Sequence, residues 1–138
     1  MYKLNLLAFF FMLLFSCIDK KNPKPENKLN RIVLNSDSVN LVKITDTLLI
    51  QEGTCRGCEY ENSTHFAISD SLGIIKLLHV VTTDNSPPNT DGGSIQKDLI
   101  LVPLKTGSTV IKLYKFWEEN ETAEDSSKYT LFSIKVQN

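Results

Sequence analysis

The last run of the chain, "KYTLFSIKV" at 128–136, restricts its fold more than any other feature. Tyr129, Leu131, Ser133 and Lys135 alternate with Thr130, Phe132, Ile134 and Val136, the two-residue period of a strand with one face in a core. Phe132, Ile134 and Val136 are the predicted inward face. No window of ten residues from Arg31 onward keeps an apolar stripe at helical spacing. Instead, runs rich in Val, Ile, Thr, Tyr and Phe recur between turn signals: "RIVL", "VNLVKI", "TLLIQ", "THFAIS", "GIIKLLHVVTT", "IQKDLILVPLK" and "STVIKLYKFW". In the last of these, Val110, Ile111, Leu113, Tyr114 and Phe116 are expected inside, leaving Lys112 and Lys115 to solvent. Gly107 in "LKTGST" marks a hairpin. Seven to eight short strands in about 108 residues predict a single all-β domain, an Ig-like antiparallel β-sandwich over 31–138.

The N-terminal segment is of another kind. "MYKLNLLAFFFMLLFSC" places one lysine before an apolar run from Leu4 to Phe15, too short for a membrane span but suited to a signal-peptide core. Its end, Leu14-Phe15-Ser16-Cys17, resembles the lipobox of bacterial lipoproteins. That resemblance implies a signal peptide over 1–16, acylation of Cys17 and anchorage in the bacterial cell envelope, in the outer membrane because Ile18 rather than Asp follows. The charged, proline-containing stretch after Cys17 has nothing to bury and is expected to be an extended tether over 17–30. At about 3 Å per residue it would hold a domain about 30 Å from the membrane. The net charge of −1, or −2 without Lys3, and the lack of a basic stripe argue against nucleic acid as a partner.

Catalytic chemistry finds little support. Nucleophilic catalysis needs a base near a Ser or Cys, and the only histidines, His65 and His79, lie within strand-like runs. No phosphate-binding glycine loop, nucleophile elbow or paired-carboxylate site is present. The chain is expected not to be an enzyme and to use no cofactor or metal. Two connections are longer than a hairpin requires, "DNSPPNTDGGS" at 84–94 and the acidic "EENETAEDSS" at 118–127. Long loops on a rigid sandwich are where recognition usually sits, and Pro87, Pro88, Gly92 and Gly93 shape the first.

Three cysteines occur, and acylation of Cys17 leaves Cys55 and Cys58 as a pair in an oxidising compartment. They sit in the turn-like "GTCRGCEY" at 53–60. Glu59 stands where a c-type haem motif needs His, and the all-β surroundings do not suit a thioredoxin-like helix start. Zinc would need four ligands, drawn from Cys55, Cys58, His65 and His79 without a second closely spaced pair. The preferred reading is a disulfide that closes a tight turn around Arg56-Gly57; redox activity and metal binding are the alternatives.

Three loop segments, read in order, resemble the chagasin family of cysteine-protease inhibitors. The family's first loop carries Asn-Pro-Thr-Thr-Gly; here Gly53-Thr54-Cys55-Arg56-Gly57-Cys58 stands there, keeping the glycine as Gly57 and none of the other four. The second loop is glycine-rich before a strand, matched by "NTDGGSIQKDLILVPLK" through Gly92 and Gly93. The third carries Arg-Pro-Trp, matched by Lys115-Phe116-Trp117 with the cation and tryptophan kept and the proline lost. Asp46 falls on an acidic turn position, and "KYTLFSIKV" on the closing strand. The resemblance implies a chagasin-like sandwich, monomeric, whose three loops enter the cleft of a papain-like cysteine protease. The implied contact residues are Thr54, Cys55, Arg56, Gly57, Asp91, Gly92, Gly93, Ser94, Lys115, Phe116 and Trp117. Gly93 also suits a plain turn, and Trp117 the cap of a core. The alternative is an envelope lipoprotein that binds a non-protease partner through the same loops.

Overall fold

The computed structural model describes residues 31–138, apart from 88, 91 and 123–127. The signal peptide, Cys17 and the tether fall outside the described residues, as do Pro88, Asp91 and the end of the acidic loop. Eight strands follow one another: β1 (Arg31–Val33), β2 (Val39–Lys43), β3 (Thr47–Cys55), β4 (His65–Ser69), β5 (Ile75–Asp84), β6 (Ser94–Pro103), β7 (Gly107–Phe116) and β8 (Tyr129–Gln137). They form two four-stranded sheets, ordered β1-β3-β6-β5 and β2-β8-β7-β4. The all-β sandwich is therefore as the alternation predicted. Two pairings are parallel, β1 with β3 and β2 with β8. Parallel neighbours cannot be joined by a hairpin. Here β2 crosses to the opposite sheet between β1 and β3.

The core lies between the sheets. Leu48 and Ile50 of β3 stand opposite Leu101 and Leu99 of β6, and Ile111 of β7 opposite Phe132 of β8. All six are buried, together with Leu113, Ile134 and Val136. The expected inward face of β8 is thus correct. In β7 the expected face holds at Ile111, Leu113 and Phe116 but not at Val110, which is 50% exposed, or Tyr114, which is half-buried; Thr109 is buried with the inward residues instead. The Val110-Ile111 doublet fits either phase of a two-residue period, and the β8 register decides between them.

Three polar side chains at the strand ends, Asn40, Asp46 and Asp70, are well supplied with partners. Asn40 Nδ2 donates to the carbonyls of Asn35, Ser38 and Ser133, and its Oδ1 accepts the Asn35 N–H at 2.8 Å. Asp46 closes the turn between β2 and β3 by accepting the Lys43 N–H at 2.7 Å. Asp70 does more, because it joins the β4–β5 turn to β7. One carboxylate oxygen accepts the N–H groups of Ile74 and Ile75 at 2.6 and 2.7 Å; the other accepts the Leu72 N–H and the Thr109 hydroxyl. Burial pushes the Asp70 carboxyl up, but the Thr109 hydroxyl and the three backbone donors outweigh it and hold the group below its usual range.

Two predictions follow from this packing. Ile111→Ala should lower the unfolding free energy by about 2–5 kcal/mol and Val110→Ala by less than about 0.5 kcal/mol, read by chemical denaturation. Asp70 has a depressed folded-state pKa, so its contribution is complete above the unfolded carboxylate value and is lost as pH falls through the lower folded one. Between pH of about 5 and about 2, stability of the parent chain should therefore fall more steeply than that of Asp70→Asn.

Candidate functional site

The pairing of the strands brings the three connections to one end. β3 and β6 are antiparallel down to Cys55 opposite Ser94, and β5 and β6 down to Asp84 opposite Ile95. The β3–β4 and β5–β6 connections therefore leave the first sheet side by side. β4 begins with His65 opposite Phe116, the last residue of β7. The β3–β4 connection must then cross from one sheet to the other and arrive beside Trp117. Gly53, Thr54 and Cys55, expected in a turn, instead extend β3, because β6 offers them the partners Gln96, Ile95 and Ser94. The first loop proper is 56–64.

Arg56 ties this loop to the second. Its N–H donates to Gly93 O at 3.0 Å, its Nη1 to Thr90 O at 2.7 Å, and its Nε lies 2.9 Å from Asp84 Oδ2. The Ser86 N–H, then the Ser86 hydroxyl, hold the Asp84 carboxyl below its usual range against the opposing effect of burial, and Arg56 adds the smallest contribution. Thr90 is held in turn, its hydroxyl donating to Pro87 O at 2.7 Å. Gly93 has φ +111°, and a Cβ there would meet Ser86 Oγ at 3.1 Å. The backbone conformation favours glycine there, and a larger residue would also have to displace the Ser86 hydroxyl slightly. Within the first loop, Cys55 and Cys58 form a disulfide with Cα atoms 5.8 Å apart, inside the span such a bridge covers. Glu61 accepts the Gly57 N–H beside it.

The third loop is joined to the first through Trp117. Its carbonyl accepts the Ser63 hydroxyl, its N–H donates to Glu121 Oε2 at 3.1 Å, and its ring meets Tyr60 edge-on at 6.1 Å between centroids. Lys115 crosses between the sheets. Its Nζ donates to Gly53 O at 2.6 Å, lies 3.7 Å from Glu52 Oε2 and sits 4.8 Å from the centre of the Trp117 ring. It was expected on the solvent side; its long stem reaches a backbone carbonyl of β3 instead.

Two predicted contact residues prove structural. Thr54 is 4% exposed, its hydroxyl without a hydrogen-bond partner. Phe116 is 2% exposed, stacked on His65 at 4.8 Å. Neither side chain offers surface to a partner. Gly57, Gly92, Gly93, Ser94 and Trp117 are exposed or half-exposed at the shared end, and Cys55, Arg56 and Lys115 hold that end together. Asp91 lies outside the described residues. Sequence reasoning missed Tyr60, Ser63, Asp84 and Thr90. Tyr60 is the one with a local signal, an aromatic residue two places after the second cysteine. No group of three or more His, Cys, Asp or Glu side chains that could hold a metal occurs among the described residues.

The architecture matches that of the cysteine protease inhibitor EhICP2 from Entamoeba histolytica, with a TM-score of 0.55 and 17% identity over 78% of this chain and 96% of that one. The chain has a chagasin-like fold. At 17% identity the likeness is one of fold. Amebosin is more distantly similar, with a TM-score of 0.44 and 12% identity over the same shares. No family model and no curated protein matches the sequence.

Arg56→Ala should raise amide exchange across 85–94 and at residue 56 while changing global stability by no more than about 1 kcal/mol. Exchange read by mass spectrometry checks it, and unchanged protection of 85–94 would show that the loops do not depend on this side chain.

Proposed function

We propose that the chain is a membrane-anchored inhibitor of papain-like cysteine proteases that blocks the active-site cleft with the loops 56–64, 85–93 and 117–122. The observation that carries this reading is the convergence of these loops at one end of the sandwich, joined to one another by Arg56 and Ser63, with Lys115 bridging β7 to β3 beside them. An occluding module needs no nucleophile of its own. It has to present backbone that is too stiffly held to enter a productive geometry. Each rotamer-rich side chain ordered on binding costs about 0.5–1.5 kcal/mol, and the disulfide together with the Arg56 contacts meets much of that cost in the free protein. The lipid on Cys17 and the tether to residue 30 would keep the inhibitor at the envelope surface, within reach of proteases arriving there. The fold it shares with EhICP2, itself a cysteine protease inhibitor, is consistent with this activity.

Titration against papain, followed by peptide hydrolysis, tests the proposal. Inhibition should be reversible, with the inhibitor recovered uncleaved. Trp117→Ala should weaken it by about tenfold or more. The Cys55→Ser/Cys58→Ser pair should weaken it by about tenfold with the fold retained, because the loop then has to be ordered on binding. Absence of inhibition at about 10 μM, a Kd weaker than most specific complexes, overturns the protease reading. A non-protease protein retained by the same loops would then take its place.

A further inference from the structure

Beside the Tyr60–Trp117 pair lies an open groove of about 640 Å³, lined by Tyr60, Trp117, Glu118, Asn120 and Glu121. Two large rings border it, Trp117 at 43% and Tyr60 at 37% exposure, in a part of the molecule that has no need of them for its core. The charges around them are unevenly matched. The cations near this end are already engaged: Arg56 with Asp84 and Thr90, Lys115 with Gly53 O and Glu52, while Lys128, which lines a neighbouring hollow with Trp117, also has an interaction of its own. The anions are in excess. The carboxylates of Glu59, Glu118 and Glu119 make no ion pair or hydrogen bond among the described residues, and Glu121 uses one oxygen on the Trp117 N–H. The chain itself shows what the indole accepts, since Lys115 Nζ lies 4.8 Å from its centre.

We propose that this groove receives one cationic side chain, arginine or lysine, from the protein partner. An indole and a phenol ring attract a cation through their π-faces, and Glu118 supplies the opposite charge at the mouth. A purely apolar side chain would be seated against carboxylates that it leaves unpaired; an acidic one would be repelled. The inference deepens the inhibitor reading by naming the chemistry of the partner's surface at this contact: a basic residue at the rim of its cleft, facing Trp117. It rests on that reading only for what the partner is.

Trp117 is the single tryptophan of the chain, so its fluorescence reports on the groove alone. The purified protein is titrated with N-acetyl-arginine methylamide, its lysine counterpart and the neutral citrulline isostere. The arginine and lysine probes should change the emission saturably, in the range of about 1–50 mM for so small a ligand. Citrulline should bind at least about threefold more weakly, and Glu118→Gln should weaken the arginine probe by about threefold without altering its citrulline affinity. Equal binding of citrulline and arginine, no effect of Glu118→Gln, or no saturable change with either cation would each overturn the proposal. The readout is separate from protease inhibition. Probe binding with no inhibition of papain removes the protease reading and keeps the groove; inhibition without probe binding does the reverse.

Discussion

The pairing of β3 with β6 is the constraint on which the rest of the structure depends. Eight residue pairs, from Leu48 opposite Leu101 to Cys55 opposite Ser94, run the length of the first sheet. At the lower end this ladder places Leu48, Ile50, Leu99 and Leu101 on one face, where they form the first sheet's most deeply buried part of the core. At the upper end it holds Cys55 beside Ser94, and so fixes where the first and second loops begin. A slip of one residue would turn the core face to solvent and separate Arg56 from Gly93 at the same time. The burial that stabilises the domain thus also sets the geometry of its loops.

That coupling explains why so many polar groups at the loop end are used internally. Connections of this length, left to themselves, would populate many conformations, at about 1–2 kcal/mol per backbone residue fixed. Arg56 binds the carbonyl and the carboxylate of the neighbouring loop at once, which its planar fork allows and a lysine would not. Lys115 performs a simpler task, carrying a single charge across the gap between sheets to the Gly53 carbonyl. Neither contact is worth much alone at partly exposed positions. Together with the disulfide they join loops that the backbone ladder has already placed side by side.

The fold was legible in the sequence because a half-buried strand writes its own alternation, as β8 does through Phe132, Ile134 and Val136. Where the pattern was ambiguous, reading failed for a definite reason. Val110 and Ile111 are adjacent apolar residues, and only the opposing strand tells which faces the core. Gly53 and Thr54 look like turn residues beside Cys55, yet β6 recruits them into β3. Lys115 looks like a surface cation, but a long stem lets it be inward at its base and paired at its tip. The Arg56–Asp84 contact joins residues far apart in sequence, and nothing local in either segment announces it. The motifs located the loops by their glycines and tryptophan; how the loops are joined is a property of tertiary structure.

The same internal pairing gives the loop end two unlike sides. On one, Arg56, Asp84, Thr90 and Gly93 satisfy one another beside the disulfide. On the other, Tyr60 and Trp117 stand exposed beside carboxylates that find no partner among the described residues. A side that is already internally paired suits a close approach to a partner, because little has to be reordered there. An acidic, aromatic side suits discrimination, because it favours a cation and repels an anion. The proposed mode of inhibition would use both sides: the disulfide loop would enter the cleft, and the Tyr60–Trp117 side would meet the charge at its rim.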